Sequence, residues 1–251
     1  QFHITRVIVF YKFFKFLSLT HFISLKISFL DRKMSSITIL SIDIGTKNFA
    51  FWVDSFPKEV FEKKIKLEYN RDGTATPSTR RHIENIALLG QAITFSNEDV
   101  ATGEDTKVEV SSDTLCTLTE LLNSYKDVFS KCDYIVVEKQ MSFGKVRNTK
   151  AIRVAHHVQS YFLAMFGRLA EVVSFPAYHK TQILGAPKLE KNTKKGKRTY
   201  KSVDKPTRKK WAISVAEDIL LARRDWISIE KVGTMKKRDD VSDCLLQGIA
   251  F

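Results

Sequence analysis

Three short apolar runs frame this chain. Residues 37–42 (Ile-Thr-Ile-Leu-Ser-Ile), 134–137 (Tyr-Ile-Val-Val) and 171–175 (Glu-Val-Val-Ser-Phe) are rich in β-branched and aromatic side chains. Runs of that length and content read as buried strands. Gly45 turns the chain after the first run, and 48–53 returns as a second strand. Residues 60–67 alternate weakly and are expected to close a meander. Helical spacing takes over elsewhere. Leu115, Leu118, Leu122, Tyr125 and Phe129 share one face of a helix over 113–129, capped by Ser112 or Asp113. Residues 148–165 and 206–221 repeat at the same period, the latter with Pro206 at its start. A last helix opens near Asp239, and its apolar pattern still runs at Phe251. Residues 70–112 are polar and hold Gly73, Pro77, Gly90 and Gly103. They read as an insertion or loose loop, with a short helix over 80–93. A meander followed by alternating helix and strand predicts an α/β fold, a mixed sheet with helices on its faces.

Charge adds a partner class. The 251 residues carry a formal charge of +13, and the excess is concentrated. Residues 188–210 hold 11 Lys and Arg against Glu190 and Asp204, and residues 1–33 hold 6 against Asp31. The rest of the chain is near neutral. A local basic segment on a neutral body points to phosphate contacts, and 188–210 is expected as a basic loop touching nucleic acid. A solvated charge run is the plainer alternative. Lys194, Lys195, Lys197 and Arg198 are the candidate contacts within it.

The first 33 residues read as foreign to the fold. They are rich in Phe and Ile, lack acids before Asp31, and precede the first methionine, Met34. A mitochondrial presequence fits this composition, as does upstream sequence translated ahead of Met34. The direct run from Ser35 into the first strand favours the second, leaving a domain over 34–251. Lys12, Lys15 and Lys26 interrupt the apolar stretches, so no membrane span is expected. Cys116, Cys132 and Cys244 have neither zinc-ligand spacing nor the even count of a disulfide framework.

Four acids stand where phosphoryl chemistry would use them. Asp43 ends the first apolar run and Glu138 the second, so the two carboxylates meet if those strands are neighbours. Asp240 and Asp243, spaced i, i+3, share one face of the last helix, with Asp239 as a possible substitute. Carboxylate oxygens suit magnesium. Two such ions about 3.5–4 Å apart clamp the attacking and leaving oxygens of a phosphodiester. Each piece has a plainer reading. Asp43-Ile-Gly-Thr also fits a phosphate loop, a lone Glu138 fits a surface carboxylate, and Asp240 with Asp243 fits helix capping. The ordered set favours ligation. After Glu138, the loop bearing Met141, Phe143, Lys145 and Arg147 is placed to touch substrate, although a core anchor under the loop is the plainer reading of Phe143. His156 and His157 read as helix residues without a catalytic role, and His179 and Lys180 follow a strand near the acids.

The segments Ser-Ile-Asp43-Ile-Gly-Thr-Lys-Asn, Val-Val-Glu138-Lys-Gln-Met-Ser-Phe, Lys-Lys-Arg-Asp-Asp240-Val-Ser-Asp243 and Phe175-Pro-Ala-Tyr-His-Lys-Thr resemble the RuvC-type Holliday junction resolvases. The likeness is to the branch found in poxviruses, other large DNA viruses and fungal mitochondria. Lys139 departs from the glutamine that often follows the strand-end glutamate. The resemblance implies a ribonuclease H-like, mixed five-stranded sheet flanked by helices. It implies a homodimer that resolves four-way DNA junctions by paired nicks and leaves 5′-phosphate and 3′-hydroxyl ends. It makes Asp43, Glu138, Asp240 and Asp243 ligands of two magnesium ions, with manganese as substitute, while Lys180, by its own position after the 171–175 strand, is placed to stabilise charge on the scissile phosphate. A virus replication site or a mitochondrion would both suit such an enzyme. The alternatives are another ribonuclease H-like nuclease, acting on hybrid or RNA, and a non-catalytic junction-binding protein.

Overall fold

The computed structural model describes residues 36–62, 65–106, 108–140, 148–192 and 198–251. Five strands form the main sheet: β1 (Ser36–Asp43), β2 (Phe49–Pro57), β3 (Gln91–Glu98), β4 (Tyr134–Lys139) and β5 (Glu171–Pro176). Their order is β3-β2-β1-β4-β5. β1 pairs parallel with β4, β4 parallel with β5, and β2 antiparallel with β3. This mixed, five-stranded order is the one expected from the resemblance to ribonuclease H-like proteins.

The side-chain period of two sorts the sheet into two faces. Leu40 and Ile42 of β1, with Ile135 and Val137 of β4, pack on helices α2 (Ser112–Ser124) and α4 (Thr149–Phe166) through Leu118, Leu122, Val154, Val158 and Phe162. The alternate residues, Ile39 of β1 and Val136 of β4, pack on α6 (Lys205–Arg223) and α8 (Arg238–Ala250) through Ala216, Leu220, Val241 and Leu245. Asp43 and Glu138 continue this second set by strand parity. Helices therefore cover both faces, but only one side receives the acids.

The remaining helices are α1 (Pro77–Leu89), α3 (Lys126–Phe129), α5 (Ala177–Ile183) and α7 (Trp226–Thr234). Several expectations shift. Residues 60–62 and 65–67 are not in the sheet, since Lys58–Val60 is a 3₁₀ turn and Phe61, Ile65 and Leu67 are exposed. The edge position belongs to β3, whose Phe95 stacks on Trp52 of β2 with centroids 4.1 Å apart. The region 70–112, expected as an insertion or loose loop, thus supplies α1 and an integral strand. The expected helix over 113–129 breaks at Tyr125, whose ring packs against Phe51 and Phe129. Ser111, not Ser112 or Asp113, caps it by accepting from Thr114 N–H.

The basic stretch 188–210 is not a plain loop. β6 (Lys188–Asn192) and β7 (Arg198–Ser202) pair antiparallel as a separate hairpin, and Asp204 then caps α6. Lys188 N–H donates to Asp72 O, and Tyr69 Oη donates to Ile183 O, which ties the hairpin and α5 to residues 69–72. Among the described residues no helix is long and apolar enough to cross a membrane.

Candidate active site

The register of the sheet brings the two strand-end acids together. Ile42 of β1 faces Val137 of β4, so Asp43 and Glu138 occupy the next rung at the ends of parallel neighbours. The third carboxylate comes from α8. Gln247, one turn after Asp243 and fully buried, donates through Nε2 to Val136 O at 3.0 Å and to Ile42 O at 3.3 Å. Those carbonyls belong to the two strands that end in the acids, one residue before Asp43 and two before Glu138. α8 can lie this close because Gly248 faces β1, where a Cβ would meet Ser41 Oγ at 2.8 Å. The i, i+4 spacing then sets Asp243 above the strand ends.

One cation stands among these acids. Lys180 of α5 is buried, with Nζ 3.1 Å from Asp243 Oδ2 and 3.7 Å from Glu138 Oε1. Burial alone would push its pKa down, but the charges of Asp243, Glu138 and Asp43 outweigh that and leave it raised. The acids are in excess, and they register it. Burial first, then the charge of Glu138, holds Asp43 well above the usual carboxylate range. Burial also raises Asp243, against the pull of Lys180. Gln140 Nε2 donates to Glu138 Oε2 at 3.2 Å.

A second cluster adjoins the first. Lys209 of α6 bonds to Asp239 and lies 3.9 Å from Asp240 Oδ1. Burial tends to raise Asp239, but the bond and charge of Lys209 leave it lowered. Burial, followed by the charge of Asp239, pushes Asp240 up to about 6. Asp239 is thus the satisfied member of the pair, and Asp240 the one that gains from a further cation.

The donor set fits a hard divalent ion. All candidate ligands are carboxylate oxygens, and Asp43, Asp240 and Asp243 all have ionised forms disfavoured by burial or like charge. As the side chains stand, no three His, Cys, Asp or Glu among the described residues are drawn together as an ion cage. Magnesium does not require one, because it is commonly held by one or two carboxylates, substrate phosphate and water.

Sequence comparison finds relatives in two viruses. It is 31% identical over 224 residues to uncharacterized protein 170L of Invertebrate iridescent virus 6, covering 86% of this chain and 88% of that one. The chain belongs to the family of protein 170L. Uncharacterized protein 97L of Invertebrate iridescent virus 3 is 28% identical over 222 residues, covering 83% and 97% of the two chains. No protein-family model matches. Among solved structures, the fowlpox virus resolvase in complex with substrate Holliday junction DNA is 16% identical, covers 85% of this chain and 95% of its own, and has a TM-score of 0.47. The fold assignment rests on the strand order and directions themselves.

In this member of the 170L family, α8 begins at Arg238 rather than at Asp239, so Asp239 and Asp240 fall in its first turn and do not cap it. Met141, Phe143, Lys145, Arg147, Lys194, Lys195 and Lys197 lie outside the described residues, and Arg198 opens β7. His157 lies on α4, on the opposite face of the sheet, where Nε2 meets Thr119 Oγ1 at 2.9 Å. His179 packs edge-on against Phe175 and Tyr178. Two residues of the site escaped sequence reasoning. Lys209 was one of eleven cations in an undifferentiated run. Gln247 completes the spacing 240, 243, 247 on one helical face, which is the signal that could have found it.

Proposed function

We propose that this protein is a metal-dependent, structure-selective endonuclease that resolves four-way DNA junctions by paired nicks. The observation that carries the reading is the placement of Asp43 and Glu138 just beyond the last paired residues of two parallel strands, with Asp243 delivered from α8 and Lys180 in contact with Glu138 and Asp243. The motif resemblance of all four segments to RuvC-type resolvases supports the junction as substrate. Cuts on two opposed strands call for two sites related by a two-fold axis, so the working form is a homodimer.

Asp43, Glu138, Asp243 and Asp240 would hold magnesium or manganese. A bound ion supplies Lewis acidity at the phosphoryl oxygens and makes water acidic enough to attack. The chain's own residues do the rest. The two strand ends fix the acids on rigid backbone, and Gln247 fixes α8 against them. Lys180 brings positive charge to the place where negative charge grows on the phosphate. Lys209, restrained by Asp239, stands at the same edge. Hydrolysis with departure of the 3′ oxygen leaves 5′-phosphate and 3′-hydroxyl ends.

The test is cleavage of labelled four-way junction, linear duplex and RNA–DNA hybrid, with and without magnesium, by protein starting at Met34. Symmetric nicks in the junction alone, dependent on the metal, are expected. Cleavage confined to the hybrid would move the reading to another ribonuclease H-like activity. No cleavage with tight junction binding would reduce it to a binding protein.

A further inference from the structure

A groove of about 600 Å³ opens from Glu138 and Asp243 between the end of β4, α5 and the first turns of α6. That volume takes a molecule of nucleotide size. Five cationic side chains line it, Lys139, Lys180, Lys205, Arg208 and Lys209, against two carboxylates, Glu138 and Asp243. Lys180 and Lys209 are engaged by the acids of the site, but Lys205 and Arg208 are exposed. Positions 205, 208 and 209 share one face of α6, so these cations form a row along the wall.

The facing wall carries an aromatic ring. Tyr178 of α5 is 58% exposed within this groove, and its ring is steadied edge-on by His179 with centroids 4.5 Å apart. A single exposed tyrosine on a protein surface needs no explanation. One that stands opposite a row of cations, two residues from Lys180, has the makings of a stacking platform. Phosphates would meet the cations and a base would meet the ring. A base within a duplex is already stacked on both sides, so the ring favours a nucleotide that has left its pair.

We infer that this groove seats one single-stranded stretch of polynucleotide beside the carboxylates, with an unpaired base stacked on Tyr178 and successive phosphates on Lys205 and Arg208. The inference rests on the nuclease reading of the adjoining acids, and it deepens it. The enzyme would recognise an opened nucleotide at the branch point rather than branch shape alone.

Binding without chemistry tests it. The full chain is titrated in EDTA into labelled single-stranded oligothymidylate, and into a four-way junction carrying 2-aminopurine at the branch point. Tyr178→Ala is expected to weaken oligothymidylate binding about 5- to 150-fold and to abolish 2-aminopurine quenching, while Tyr178→Phe keeps both. Lys205→Gln with Arg208→Gln is expected to flatten the salt slope by about 1.4 log units per log unit of salt, for two phosphates of a single strand. Because all three residues are exposed, unchanged melting temperatures should accompany these effects. Wild-type affinity and quenching in Tyr178→Ala would overturn the inference while leaving the resolvase reading intact. Equal wild-type affinity for junction and linear duplex would overturn the resolvase reading, and the oligothymidylate arm would still judge the groove. Equal affinity for polyglutamate, insensitive to Tyr178→Ala, would reduce the groove to a general anion surface and also overturn the inference.

Discussion

Two buried acid–base clusters sit on the α6/α8 side of the sheet, and they are built on opposite principles. In the first, Arg223 grips Asp54 with both guanidinium nitrogens, at 3.1 and 2.8 Å. Its Nε donates to Ala87 O, and Trp52 Nε1 donates to Asp54 Oδ1. Gly90 leaves room for the guanidinium, since a Cβ there would lie 2.0 Å from Arg223 Nη2. One charge meets one charge, and each guanidinium nitrogen and each carboxylate oxygen has a partner. In the second, a single ammonium serves Asp43, Glu138 and Asp243. Burial alone does not mark a functional site, because Asp54 and Arg223 are more deeply buried than the three acids around Lys180. An excess of one sign held in place by rigid elements does mark one.

Removing a carboxylate from each cluster should therefore have opposite consequences. Asp43→Asn, Glu138→Gln and Asp243→Asn are each expected to lower the cleavage rate by about 10³-fold or more, at or beyond the upper range for one charge-stabilising group. Without metal, Asp43→Asn should melt no lower than the parent at neutral pH. The sign follows from the raised pKa. The folded state disfavours this carboxylate's ionised form, so its charge costs stability above the unfolded-state value, and Asn removes that cost. Cleavage rates with thermal melts in EDTA check both halves. Substantial activity in Asp43→Asn or Glu138→Gln would break the assignment.

Asp54→Asn should do the reverse. It leaves Arg223 buried with half its partner, and breaking such a pair costs about 3–5 kcal/mol. Denaturant titration should show this loss, while the magnesium dependence of the remaining folded enzyme stays as it was. A shift in metal dependence would mean that the two clusters communicate.

The contrast also explains what the sequence could reveal. β1 and β4 were legible because strands buried on both faces are written as continuous apolar runs, and β5, an edge strand with only Phe175 buried, was legible from its paired valines and the proline that stops it. Asp43 and Glu138 were legible as the residues where those runs stop. β3 was hidden because Gln91–Glu98 is an edge strand, with Phe95 buried and Ile93 exposed. The weak alternation of 60–67 misled, because Phe95 stacks on Trp52 while Phe61 packs on Phe56. The Asp54–Arg223 pair spans 169 positions, and no local pattern announces it. Lys180 was legible only as a cation just after a strand. Its place among three acids depends on the packing of α5 against β5 and α8, which no local spacing encodes.

Gln247 sharpens the comparison, since it belongs to neither cluster yet fixes the position of one. Gln247→Leu keeps approximate volume and leaves two main-chain carbonyls without this donor. Unsatisfied buried groups cost about 1–3 kcal/mol, with the lower end expected here because both carbonyls also lie in the sheet. The more telling effect is on the metal. Loss of a group that orients ligands commonly costs about 10- to 100-fold in metal affinity, so the magnesium concentration for half-maximal cleavage should rise about 10-fold. Stability loss with unchanged magnesium dependence would make Gln247 a packing residue only.

Asp218 supplies the smallest and cleanest variation, an acid with no matched cation among the described residues and apart from the site. It is half-buried on α6, and burial, aided by the charge of Glu217, raises its pKa to about 6. The folded state therefore holds this proton more tightly than the unfolded chain, whose group titrates near 3.8. Linkage fixes the sign. Stability falls as pH rises from about 4 to about 6, because the unfolded state releases its proton first, and the loss is complete above that window. Asp218→Asn should abolish this segment of the pH profile and stabilise the protein at pH 7. A shift of this size in a dry site would be worth more, but partial water access reduces the expected gain to about 1 kcal/mol. Urea titrations at pH 4.5 and pH 7 read it directly. The variant's advantage should be present at pH 7 and shrink at pH 4.5, whereas an equal gain at both would assign the effect to helix propensity instead of charge burial.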